Sequence, residues 1–182
     1  LNLNGLHGTL FYSNEKSKKF AIGIHGYRMN GISEFARYIP IYHDMGYNFL
    51  AIDNCGAGES EGEFVSLGGA TTLIACGSKD LPSQVRCAIV DSPYSSFRAE
   101  EDYILSLLKL PEAIYPVFFF IINHVFKKNT GLTLKDASPI KAVKKASVSQ
   151  LELFDKASHC QSFHWEPEHY AALIHSWAEK YM

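Results

Sequence analysis

Residues 65 to 71 read Val-Ser-Leu-Gly-Gly-Ala-Thr, and Ser66 within them has the small neighbours that an attacking hydroxyl needs. A serine becomes a nucleophile when a sharp, strained turn between a strand and a helix lifts its oxygen above a sheet edge, the G-x-S-x-G arrangement. The chemistry of such a hydroxyl is acyl transfer through a covalent intermediate. The helical half of that turn is present: Gly68, Gly69 and Ala70 allow close packing, and "ATTLIAC" continues helically. The strand half is missing. Asp53 ends one apolar run and Ser66 follows thirteen positions later, with "NCGAGESEGEF" filling the interval. A crossover between adjacent parallel strands takes roughly a dozen residues before the next strand begins, so both do not fit. Phe64 also stands where the first glycine belongs, which puts bulk at the tight turn.

The elements that must position this chemistry are legible in outline. Leu6 to Tyr12 and Lys19 to Ile24 are short apolar runs around the polar "SNEKSK", a hairpin-like entry into a sheet. Ser33 is placed to cap a helix running to about Met45, kinked by Pro40 and closed by Gly46. Tyr47 to Asp53 reads as a strand buried on both faces, and Val85 to Asp91 as another. Helices are expected from Gly69 to Cys76, from Tyr103 to Lys128 with a split near Pro111, across "DASPIKAVKKA", and from Pro167 to Tyr181. Gln150 to Phe154 is the expected last strand. Strands alternating with helices predict an α/β fold, doubly wound around a mostly parallel sheet.

Composition narrows the function. At 182 residues and 47% hydrophobic content, one domain with a substantial core is expected. Seventeen basic and nineteen acidic side chains are scattered, with no basic run carrying interleaved aromatics, so no nucleic-acid partner is expected. Cys55, Cys76, Cys87 and Cys160 form no C-x-x-C pair, and the eight histidines make no H-x-x-x-H pair, so neither a metal site nor a disulfide framework is indicated. The longest apolar run, Ala113 to Phe126, is too short to span a bilayer. The chain opens on "LNLNGLHGTL" without an initiator Met, which leads us to expect a preceding segment and leaves the cellular location open.

Three stretches, "IGIHGYRMN" (22–30), "AIDNCGAGESEGEFVSLG" (51–68) and "KASHCQSF" (156–163), together resemble the α/β-hydrolase family of serine hydrolases, especially its bacterial serine-aminopeptidase-like and esterase-like members. "AIVDSPYSSF" and "LKDASPIKAV" are weaker matches, and the resemblance runs from Leu6 to Met182. It implies an α/β-hydrolase sheet with a small helical cap at about 98–130, inserted into a single domain. It also implies roles: the Tyr27 N–H and the N–H after the nucleophile, Leu67, as oxyanion donors, and His159 as general base. The acid is less certain in the pattern. The family's usual acid-bearing loop before the last strand has no counterpart, since only Ser147 to Ser149 remain there, and Asp155 stands too close to His159. Asp91 is the substitute, because some members of the family place the acid at that strand end.

Two registers account for Ser66. In one, "VSLGGAT" is the nucleophile turn and a segment is absent just before it; in the other, "EGEFVSLG" belongs to the loop after Asp53 and the serine has gone with an intervening segment. Either way, junctions are expected near 64–69 and 146–150. The expected function is a serine hydrolase cleaving a small-molecule carboxylic ester, less readily an amide, through an acyl-enzyme and with no cofactor. The alternative is a catalytically inactive binding or scaffold protein on the same fold. A cysteine hydrolase built on Cys160 beside His159 is disfavoured, since adjacent residues rarely face each other and nothing near lowers the thiol pKa.

Overall fold

The structure is a computed structural model, and it describes residues 2–3, 5–14, 16–26, 29–61, 68–131, 133–136, 138–145, 152, 154–155, 157 and 161–181. Four strands form its sheet among these residues: β1 (Asn2–Leu3), β2 (Leu6–Phe11), β3 (Phe20–Ile24) and β4 (Asn48–Ile52), in the order β1-β2-β4-β3. β2 runs antiparallel to β4, pairing Gly8 with Ile52 and Phe11 with Phe49. β3 runs parallel to β4, pairing Phe20 with Asn48 and Ile24 with Ile52. The three strand positions agree with the sequence reading to within a residue or so, but the pairing corrects it twice. β2 and β3 do not form a hairpin, because β4 lies between them. The sheet is small and mixed rather than mostly parallel, since only β3 and β4 run together.

Composition explains why β4 takes the centre. Phe49 and Ala51 alternate onto one face and are almost fully buried, beneath Ile39 and the rings of Phe35 and Tyr42. Burying a phenylalanine ring contributes about 2 to 3 kcal/mol, which a solvated edge strand would forgo. Asn48, also fully buried, is satisfied by the turn after β2: its Oδ1 accepts from the Ser13 amide at 3.1 Å and its Nδ2 donates to the Ser17 carbonyl at 3.1 Å. β3 lies at the edge, with Phe20 and Ile22 more than half exposed.

The helix expected from Ser33 to Met45 is two short ones, α1 (Gly31–Phe35) and α2 (Ile39–Asp44). Pro40 has no amide to bond the preceding turn, so the chain restarts at Tyr38 with Pro40 in the new first turn. The cap of α1 is Asn30, not Ser33. Asn30 Oδ1 accepts the Ser33 amide at 2.8 Å and Ser33 Oγ accepts the Asn30 amide at 3.3 Å, a reciprocal pair that satisfies two donors. Gly46, at φ 78°, ends α2 in the left-handed region as expected.

α3 (Gly68–Cys76) begins one residue before its expected start and packs on α6 (Pro139–Val143). α4 (Phe97–Leu107) and α5 (Tyr115–Thr130) are joined through Pro111 and a single 3-10 turn, Glu112–Ile114, at the expected split, but α4 begins at Phe97 rather than Tyr103, because the Ser96 hydroxyl caps it by accepting the Ala99 amide at 3.2 Å. α7 (Ser162–Trp165) leads into α8 (Pro167–Tyr181), which begins and ends as the sequence predicts. α8 docks through Ile174, Ala178 and Tyr170, whose ring meets those of Tyr38 and Phe163.

Val85 to Asp91, expected as a buried strand, makes no ladder, and Val85 and Ile89 are exposed. A β-branched apolar run is strand-forming only where an edge is in reach to pair with it. Of the expected last strand, Glu152 and Phe154 are described and lie in no strand, while Gln150, Leu151 and Leu153 fall outside the described residues. The expected junctions, at 64–67 and 146–150, also lie outside them; Gly68 and Gly69 open α3.

Candidate functional site

β3 ends at Ile24 and delivers His25, which has no solvent exposure. The Asn54 amide donates to His25 Nε2 at 3.0 Å, so that nitrogen carries no proton and Nδ1–H donates to the Gly26 carbonyl at 2.7 Å. The Asn54 side chain returns to the His25 carbonyl at 2.9 Å. The imidazole, bonded through both ring nitrogens, therefore clamps the ends of β3 and β4 together. Beside it, Asp53 Oδ1 accepts the first amide of α1, Gly31, at 2.7 Å, and Oδ2 accepts the Glu59 amide at 3.0 Å. Burial by itself would raise the Asp53 pKa, but these amides and the His7 ring more than offset it and hold the carboxyl below its ordinary range.

The first residue of α3 meets the end of β3. A Cβ on Gly68 would overlap the His25 carbonyl oxygen and stand 2.6 Å from that of Ile24, so only glycine lets the helix start this close. Gly26 is the opposite case, since a Cβ there would meet nothing within 4 Å. The open space belongs to a cavity of about 530 Å³. Gly26, Gly68 and Gly69 line it together with Asp91, Ser92 and Tyr94, residues of α4, Ile122 of α5 and Leu134.

Asp91 is held by hydroxyls: Ser92 Oγ donates to Oδ1 at 2.9 Å, and Ser162 Oγ, at the start of α7, lies 3.4 Å from the same oxygen. Nearby, Tyr170 is pushed far up in pKa, first by burial and then by the Asp91 charge. Ser92 has φ 49°, a left-handed conformation that costs a non-glycine residue on the order of 1 kcal/mol or more and that is often met at functional sites.

Of the sequence-expected site residues, Asp91 lies on this cavity. Ser66, Leu67, Tyr27 and His159 lie outside the described residues, as does Cys160, although Gly26, Gly68 and Ser162 adjoin them in sequence. Three contributors escaped the sequence reading. His25 and Asn54 hold the loop by side-chain bonds, whose only trace was a His-Gly pair after one strand and Asp-Asn after another. Glu101 lines the cavity and is nine-tenths buried, with its carboxyl raised by burial, opposed by Arg98 and reinforced by Asp102. Its signal was a carboxylate at helical spacing among Phe97, Ile104 and Leu105.

Compared with solved structures, the chain superposes on the Pyrococcus furiosus esterase Pf2001 in two crystal forms. One has a TM-score of 0.64 and 16% identity, covering 97% of this chain and 86% of that one. The other has a TM-score of 0.63 and 18% identity, covering 97% and 88%. The likeness is one of fold: the chain resembles these esterases in a hydrolase-like α/β arrangement. No protein-family model matches the chain, and no curated protein matches it. Within this hydrolase-like fold the sheet is small, and the cavity opens where the ends of β3 and α3 meet. No group of three or more metal-ligating side chains stands together among the described residues, and no helix among them is long and apolar enough to cross a membrane.

Proposed function

We propose that the chain is a serine hydrolase that cleaves a small-molecule carboxylic ester, and less readily an amide, through an acyl-enzyme. The observation that carries this reading is one cavity lined by the glycine after β3, the N-terminus of α3 and the Asp91 carboxylate. These are the three surroundings that an oxyanion, a nucleophile turn and an acid require.

In this mechanism the Ser66 hydroxyl attacks the ester carbonyl carbon while His159 takes its proton. The amides of Tyr27 and Leu67 receive the negative oxygen, each worth about 3 kcal/mol of barrier. His159 returns the proton to the departing alcohol, leaving the acyl group on Ser66. A water molecule, deprotonated by His159, then attacks the acyl carbon and releases the carboxylic acid and the serine. Asp91 holds the imidazole's tautomer and orientation. Ser162, bonded to Asp91, follows His159 by three residues, which supports that assignment. The segment 98–130, α4 and α5, serves as a cap whose apolar side chains cover the acyl group.

A fluorophosphonate probe followed by peptide mapping tests the reading. A phosphonyl adduct on Ser66, absent from Ser66→Ala, is expected. Folded protein that takes up no probe is instead an inactive binding protein on a hydrolase fold.

A further inference from the structure

The face that α4 turns to the cavity carries a carboxylate where an acyl-binding wall calls for hydrocarbon. Phe97, Glu101, Ile104 and Leu105 recur at helical spacing and all line the cavity. Leu105 is 5% exposed and Glu101 9% exposed. Among the described residues, neither carboxyl oxygen of Glu101 has a hydrogen-bond partner. The cation nearest in sequence is already engaged, since Arg98 grips Asp102 through Nε at 3.0 Å and through its terminal nitrogen at 2.9 Å. A buried, unpartnered carboxyl costs on the order of several kcal/mol, which makes it a poor choice for a purely structural wall.

The charged side chains described along the cavity wall have one sign. Asp91, Glu100 and Glu101 line the cavity, and no Lys, Arg or His is among its described lining residues. The rest of the wall is apolar and partly aromatic, with the rings of Tyr94 and Phe97 5.2 Å apart. Aromatic faces attract a cation, and a buried carboxylate completes its hydrogen bonds with one. An anionic or purely hydrocarbon guest would leave Glu101 unpaired.

We propose that the cavity selects a substrate bearing a protonated amine on an apolar body, with Glu101 as the residue that receives the ammonium group. The inference rests on the reading of this cavity as the hydrolase's substrate site and names the substrate class. An ammonium donates up to three hydrogen bonds, enough to satisfy both Glu101 oxygens while its hydrocarbon packs against Ile104, Ile122 and Leu134.

Calorimetric titration of the intact chain with n-hexylammonium chloride, 1-hexanol and sodium hexanoate tests it without any turnover. Hexylammonium is expected to bind at least roughly tenfold more tightly than hexanol, the order set by one charge-assisted hydrogen bond, and hexanoate most weakly. Glu101→Gln, close in shape, should bind hexanol as the wild type does and lose the preference for the amine. Equal affinity of the wild type for the amine and the alcohol, or no binding of the amine at millimolar concentration, overturns the proposal; so does a preference that survives in E101Q. The wild-type comparison stands even where the variant fails to fold. Fluorophosphonate labelling separates the two readings. Labelled protein without amine preference keeps the hydrolase and removes this substrate class. Unlabelled protein with the preference keeps the cation site and removes the hydrolase.

Discussion

The Asn54 main-chain amide donates to His25 Nε2 at 3.0 Å, and the Asn54 side chain donates to the His25 carbonyl at 2.9 Å. Two strands that run parallel are thereby tied at the ends that face the cavity, through an imidazole with no exposed surface. His25 is a positioning residue: its ring is held between the Asn54 main-chain N–H and the Gly26 carbonyl. The loop it holds leads directly to Gly26 and the proposed oxyanion donor at Tyr27.

His25→Leu leaves the Asn54 amide without its acceptor in a buried place. A loss of about 1 to 3 kcal/mol is expected. Asn54→Ala keeps the amide bond and removes the side-chain bond to the His25 carbonyl, at a cost of about 1 kcal/mol. Urea denaturation of both variants checks the ranking; an Asn54→Ala loss equal to that of His25→Leu would mean the imidazole is not the clamp.

The two glycines that flank the cavity should respond oppositely to an added methyl. In Gly68→Ala the new carbon meets the carbonyl oxygens of His25 and Ile24, main-chain atoms that cannot swing aside. The start of α3 must then withdraw from β3, with a stability loss of about 1 to 3 kcal/mol and loss of probe labelling at Ser66. Gly26→Ala meets nothing within 4 Å, so its denaturation midpoint should stay within about 0.5 kcal/mol of wild type.

Asp53 predicts an acid-sensitive fold. Its carboxyl, which burial would raise, is brought below its ordinary range by the Glu59 and Gly31 amides and by His7. A group with a depressed folded pKa contributes its full stability above the unfolded value, near 3.9, and loses it as pH falls through the folded one. Asp53→Asn, which mimics the protonated acid, should therefore be less stable than wild type by about 1 to 3 kcal/mol at pH 7. The gap should close as pH falls below about 4, when Asp53 itself takes up a proton. Denaturation midpoints of the two proteins from pH 7 to pH 3 measure it, and parallel curves would remove Asp53 as the sensitive group.

What the sequence revealed of this fold was whatever is decided within a few residues. α8 begins at Pro167 because proline suits a first turn, and α2 ends at Gly46 because glycine suits a left-handed one. β2, β3 and β4 appeared as apolar runs for the same local reason. Their order did not, because β4 is central through the rings that α1 and α2 lay on Phe49, a choice made between segments distant in sequence. Val85 to Asp91 has the composition of a strand and forms no ladder among the described residues, so its apolar pattern misjudged it. In the site, Asp91 was visible as an acid at the end of an apolar run, whereas Glu101 read as one more charge on a helix. Only the cavity distinguishes it from its neighbour Asp102, which pairs with Arg98.

Asp91 carries the last expectation. Its Oδ1 receives Ser92 and Ser162, so the carboxylate is oriented by a hydroxyl from a segment distant in sequence besides that of its own neighbour. In the proposed mechanism the imidazolium formed during attack needs that negative charge, while substrate binding does not. Asp91→Asn retains the size of the side chain and removes the charge. It should lower kcat on short-chain p-nitrophenyl esters by roughly 10² to 10⁴-fold with little change in KM, the pattern of an interaction made only in the transition state. Ser162→Ala should leave the charge in place and reduce kcat by no more than about tenfold, the order of one neutral hydrogen bond. Equal, small effects of both variants would assign Asp91 a packing role at the α7–α8 junction and move the triad's acid elsewhere in the chain.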